Sequence, residues 1–152
     1  MKLKLPNISN SIQTWEERQD ELISSLTSQP VVIVLRVSQT DLEELSIIPL
    51  LNIINKLTFA GIKNIEIAWS PHKNWLFFIQ ELKSNFKEIS FGAASISDSS
   101  SLDIITELGF RYAMSPYLNL KLQKKAQELG QLVVPGVFSP YEVQQAIHFG
   151  FR

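Results

Sequence analysis

Short apolar runs alternate with longer stretches of helical periodicity along this chain. The runs fall at 31–36 (VVIVLR), 64–69 (NIEIAW), 89–94 (ISFGAA), 111–114 (RYAM) and 132–135 (LVVP). Each is short and largely apolar, the pattern of a strand in a parallel sheet covered on both faces. Between them there is room for one helix and two loops, so the pattern predicts repeated βα units.

The helices carry start signals with a physical basis. Thr14 and Glu17 form a T-x-x-E capping box ahead of a helix whose apolar side holds Trp15, Leu22, Ile23 and Leu26. Ser70-Pro71 and Ser139-Pro140 each place an N-cap before a proline at the first helical position, and Glu142 completes a second box. Asn119 caps a helix that Gly130 ends. Pro49 divides the segment after the first strand into a short helical piece and a main helix over 49–59, with Leu50, Ile53, Ile54 and Leu57 inward. The serine-rich stretch 95–101 reads as a βα loop.

An N-terminal helix followed by five βα units suits two architectures. A doubly wound open sheet is complete at five strands and accounts for the length of 152 residues. A (β/α)8 barrel has eight strands and typically about 250 residues, so the chain would be a single partial-barrel domain over 1–152 without strands six to eight.

Composition narrows the classes of function. Hydrophobic residues make up 45% and charged residues 19%, enough apolar material for a core and too little charge for a disordered chain. Fifteen acidic and fourteen basic residues leave a net charge of −1, without the basic surplus of a nucleic-acid binder. There is no cysteine, which removes disulfides, thiolate metal sites and thiol nucleophiles and is compatible with a cytoplasmic location. Residues 1–13 hold two lysines but no apolar targeting core, and the longest aliphatic run, 31–35, is far below the ~20 residues of a membrane helix.

Both architectures put function at the carboxyl ends of strands. There the sequence shows Arg36, Trp69-Ser70-Pro71, Ala93-Ala94-Ser95, Ser115-Pro116 and Pro135-Gly136. Glu66 interrupts an apolar strand, and a carboxylate there must be paired, hydrogen-bonded or protonated. It is a general acid/base if its proton affinity is raised, or a structural partner of a base such as Arg36. Arg36 is a fork for a carboxylate or phosphate, that partner, or a surface residue. Ser95 and Ser115 can donate to a bound carboxylate or carbonyl, or serve as turn residues. His72 and His148 are too far apart for a metal site and read as exposed helix residues; no metal or cofactor is expected. The six glycines form no phosphate loop, and Trp69, Trp75, Phe77 and Phe78 have core spacing rather than that of a base-stacking surface.

The segments VVIVLR (31–36), AGIKNIEIAWSP (60–71), FGAASI (91–96), YAMSPYL (112–118) and VVPGVFSPYEVQQAIHFG (133–150) form an ordered set. In these the chain resembles the class I aldolases for 2-keto-3-deoxy-6-phosphogluconate and 4-hydroxy-2-oxoglutarate, over the N-terminal two-thirds of that family. The resemblance implies a (β/α)8 barrel, usually trimeric, that releases pyruvate and an aldehyde from a keto acid through a Schiff base on a lysine of the sixth strand. It implies that Glu66 is the glutamate that shuttles protons. It also implies that Arg36, Ser95, Ser115 and Pro116 lie on the substrate side, Ser95 standing for the threonine of the family's GAGT.

Four features depart from that pattern. Ser70 stands where many members have a substrate-binding arginine, Ala94 replaces a second glycine, and Tyr117 replaces a glycine or histidine. The strand bearing the Schiff-base lysine would begin after Arg152, and no lysine present takes its place: Lys63 precedes the second strand, Lys73 follows Ser70, and the others lie on helices or the N-terminal tail. The resulting expectation is an aldolase sequence inactive as it stands. The alternative is a non-catalytic partial barrel that binds a keto acid or oligomerises.

Overall fold

The computed structural model describes residues 13–152. The expectations for residues 1–12, their tail lysines and missing targeting core included, lie outside it.

Each apolar run supplies the centre of a strand: β1 (Ile33–Leu35), β2 (Ile65–Ala68), β3 (Gly92–Ala94), β4 (Ala113–Ser115) and β5 (Val133–Pro135). The helices are α1 (Trp15–Ser28), α2 (Gln39–Glu44), α3 (Ile48–Phe59), α4 (Trp75–Asn85), α5 (Ser99–Glu107), α6 (Leu120–Glu128) and α7 (Pro140–Phe149). Pro49 sits in the first turn of α3, where its missing N–H costs nothing, and Leu45 in a left-handed conformation (φ 54°) closes α2 before it.

The strands are all parallel and pair in chain order, β1-β2-β3-β4-β5. A doubly wound sheet reverses its order at a switch point, and this one does not. Sequential winding is that of a (β/α) barrel, so the open-sheet reading is set aside and the fold is a five-unit, TIM-barrel-type sheet among the described residues.

Strand alternation divides the sheet into two faces. Ile65, Ile67, Ala93, Ala113 and Val133 turn toward the helices and pack with Ile54, Phe78, Leu82, Leu102, Ile105, Leu122 and Ala126. Burying a large aliphatic or aromatic side chain there contributes about 1.5–3 kcal/mol. Glu66, Gly92, Tyr112, Met114, Leu132 and Val134 belong to the other face.

Helix α1 closes the amino ends of the strands. Arg18 Nη1 donates to the carbonyls of Phe110 (3.1 Å) and Arg111 (2.8 Å), and Asn64 Nδ2 donates to Gln29 O (3.1 Å). Trp15 and Leu22 pack with Tyr112 and Leu132 beneath the second face. Buried Gln19 donates to Gly150 O (3.2 Å) and accepts from Arg152 N (3.1 Å), joining the helix to the end of the chain. The capping box of Thr14 and Glu17 is formed, and Ser139 and Asn119 cap α7 and α6 as expected. No helix of the described residues is long and apolar enough to cross a membrane.

Three local readings change. Ser70-Pro71 does not start a helix: Ser70 Oγ accepts from His72 N (3.2 Å), His72 Nδ1 accepts from Asn74 N (3.2 Å), and α4 begins at Trp75. Burial of Trp75, whose indole N–H donates to Ala68 O (3.0 Å), sets that start, so His72 and Lys73 lie in a turn rather than a helix. In the serine-rich stretch only the first half is loop, because the Asp98 carboxylate accepts from Ser100 N and Ser101 N (both 2.9 Å) and opens α5. Ile23, Ile53 and Phe77, read as core, are two-fifths exposed or more (41%, 45% and 41%).

Candidate active site

With α1 beneath the amino ends, the carboxyl ends of the strands are the open side. Arg36 follows β1, Ser95 follows β3 and Pro116 follows β4; all three are exposed at this rim. Ser95 holds a left-handed backbone (φ 66°) that L side chains rarely adopt. Arg36 forms no ion pair among the described residues, so it is not the structural partner of Glu66. Ser115 is buried, and its hydroxyl donates to Tyr117 O at 3.0 Å. Its carbonyl accepts from Gly136 N (2.8 Å), and a Cβ on Gly136 would lie 2.5 Å from Pro116 O. The ends of β4 and β5 therefore close on each other because residue 136 has no side chain.

Glu66 lies deeper, in the middle of β2, and is 2% exposed. The register sets it between Val34 of β1 and Gly92 of β3. One step nearer the rim on the same face come Ala68 and Ala94, paired and small. No described basic group pairs with the carboxyl, and Oε1 is buried without a hydrogen-bond partner. Burial pushes its proton affinity above the ordinary glutamate value, and interaction with the Tyr112 hydroxyl pulls partly the other way. A carboxyl so placed can hold a proton nearer neutrality, as general acid/base chemistry requires.

Tyr112, just before β4, is the neighbour that the sequence did not single out. It is 1% exposed, and its hydroxyl is also buried without a geometrically sound partner. Burial, then the adjacent Glu66 carboxyl, drive its proton affinity well above that of an ordinary tyrosine, so it stays a neutral O–H. Both side chains lie over Gly92: a Cβ there would stand 2.5 Å from Tyr112 Cζ and 2.9 Å from Glu66 Cγ. The structure thus joins Glu66, Gly92 and Tyr112 in one buried group and leaves Arg36, Ser95 and Pro116 at the rim above.

None of the described lysines stands on a strand. Lys83, whose proton affinity burial lowers, donates to Leu108 O and Gly109 O with its ammonium 5.3 Å from the Phe110 ring. It serves the end of α5 on the helical layer. A hollow of about 320 Å³ opens beside the end of β2 between Trp69, His72, Trp75 and Ile104, and Glu66 does not line it. Among the described residues no three His, Asp or Glu side chains gather as a metal site.

The family model described as KDPG and KHG aldolase matches residues 22–152. No curated protein matches the sequence. Among solved structures, a KDPG aldolase from Legionella pneumophila, with pyruvate captured at low pH as a covalent carbinolamine intermediate, is 20% identical with a TM-score of 0.71. That match covers 84% of this chain and 58% of the other. The 2-keto-3-deoxy-6-phosphogluconate aldolase of Zymomonas mobilis ZM4, with 3-phosphoglycerate, is 23% identical with a TM-score of 0.71, over 88% of this chain and 59% of the other. At these identities the likeness is one of fold, and the chain spans under two-thirds of either relative's length.

Proposed function

Because the chain belongs to the KDPG and KHG aldolase family, we propose that it carries the proton-transfer half of a Schiff-base aldolase site for 2-keto-3-deoxy-6-phosphogluconate or 4-hydroxy-2-oxoglutarate. The observation that carries this reading is the buried Glu66 carboxyl in mid-strand beneath an open rim, without a basic partner among the described residues and with Oε1 unsatisfied. Protonated, Glu66 gives its proton to the hydroxyl that leaves as water when an amine condenses with the substrate ketone. Ionised, it takes the proton of the substrate hydroxyl while the carbon–carbon bond breaks. The bonding electrons pass to the iminium to give an enamine, and an aldehyde departs. Glu66 returns its proton to the enamine carbon, which restores the iminium, and water then releases pyruvate and the free amine.

The rim supplies binding. Arg36 is the fork for the substrate carboxylate or phosphate, with Ser95, Ser115 and Pro116 on the substrate side. The amine is the missing part: imine chemistry needs a lysine desolvated near the ketone, and the described lysines are elsewhere. The 152-residue chain alone is therefore expected to be inactive. In a complete barrel the site would serve carbohydrate breakdown of the Entner–Doudoroff type, in the cytoplasm and in a homo-oligomer, the trimer that the family resemblance implies.

Borohydride trapping tests the reading. The chain alone, given pyruvate and sodium borohydride, should gain no adduct. A chimera that joins after Arg152 the part of an aldolase relative that this chain does not span, lysine included, should gain the mass of one reduced pyruvate. A folded chimera that traps nothing contradicts the proposal.

A further inference from the structure

Tyr112 bears a hydroxyl where packing asks only for a ring. Its ring fills the space among Trp15, Leu22 and Leu132 and presses on Gly92, which a phenylalanine would do equally well. The hydroxyl is buried without a hydrogen bond of sound geometry, although it lies close enough to the Glu66 carboxyl for each to shift the other; folded proteins rarely keep such an arrangement without use. A second unpartnered atom, Glu66 Oε1, is buried over the same glycine. Two polar orphans sharing one bare Cα are a donor and an acceptor held ready for each other.

We propose that Tyr112 is a positioning residue for Glu66, its O–H turning to donate to the carboxylate whenever the carboxyl gives up its proton. This rests on the reading of Glu66 as the acid/base group and adds the partner that reading lacks. Arg36 at the neighbouring rim cannot be that partner, since it is exposed and forms no ion pair among the described residues. Arg111, the other charge felt at Tyr112, is turned toward α1, with its Nε 3.6 Å from Glu21 Oε2 and its Nη2 donating to Glu21 O (3.0 Å). From β1 and β3 the groups facing Glu66 are Val34 and Gly92, neither of which titrates. A donor that favours the ionised carboxyl offsets part of the burial penalty and keeps both protonation states within reach of one cycle.

The test is a direct titration in the 152-residue protein, which needs no lysine and no turnover. With glutamate labelled at the carboxyl carbon, the Glu66 signal is the one lost in Glu66→Gln. Its midpoint in the parent protein should lie above the ordinary glutamate value. In Tyr112→Phe, which keeps the ring and so the packing, it should rise by about one further pH unit. Tyr117→Phe, at an exposed tyrosine, should leave it unchanged. A Glu66 midpoint unmoved or lowered in Tyr112→Phe overturns the proposal. A shift as expected, beside a chimera that traps no pyruvate, would keep this pairing and refute the aldolase reading instead.

Discussion

Glu66 on β2 stands opposite Gly92 on β3, and its Cγ comes within 2.9 Å of the place a Cβ on residue 92 would occupy. The carboxyl chain uses the room that the glycine leaves, and the Tyr112 ring uses the rest. Gly92→Ala should therefore destabilise the protein by about 1–3 kcal/mol, the cost of overpacking a tight core site. Urea unfolding measures it. An alanine tolerated without loss would show that the two side chains are not held against residue 92.

Burial raises the proton affinity of Glu66, so the folded state favours the neutral acid more than the unfolded chain does. That preference is fully present below the unfolded glutamate value and is lost as pH rises through the higher folded value. Glu66→Gln cannot ionise, and the shifted carboxylates Asp98 and Glu142 remain in both proteins. Relative to the variant, the parent should lose about 1.4 kcal/mol for each unit by which the folded value is raised. Unfolding free energies compared across that range check the sign. A difference that stays flat or grows in the parent's favour with pH contradicts it.

Ser95 occupies a left-handed backbone (φ 66°) directly after β3, where a Cβ crowds the following carbonyl. Ser95→Gly should stabilise the fold by about 0.5–1 kcal/mol net of the extra freedom glycine has when unfolded, whereas Ser95→Ala should gain nothing. Strain kept at the rim of a site fits a residue retained for its hydroxyl. In a trapping-competent chimera the glycine variant should accordingly need more substrate, read as a raised KM. A glycine variant less stable than the parent contradicts the strain.

The repeated runs at 31–36, 64–69, 89–94, 111–114 and 132–135 made the βα units legible, because period and length are local properties. Strand order is not local. Only the pairing β1-β2-β3-β4-β5 separates barrel winding from a doubly wound sheet. Glu66 was legible as a carboxylate in an apolar strand; its neighbours were not, since RYAM reads as ordinary core until register sets Tyr112 beside Gly92. Ser70-Pro71 carried a sound local signal for a helix start that a tertiary contact overrode. The hydrogen bond from Trp75 to Ala68 O holds α4 to a later beginning. The distance of Arg36 from any described acid was likewise not written in its spacing, which suits a pair with Glu66 as well as an open rim.

The proposed role of Glu66 is to move the proton when the keto acid is cleaved. The most direct measurement is pyruvate release from 2-keto-3-deoxy-6-phosphogluconate and from 4-hydroxy-2-oxoglutarate by the lysine-bearing chimera, with and without Glu66→Gln. Release from at least one substrate is expected, with a fall in kcat of about 10²–10⁴-fold in the variant, the usual worth of a positioned acid/base. A Glu66→Gln chimera that cleaves as fast as its parent, or a parent that forms the pyruvate adduct yet cleaves neither substrate, would contradict it.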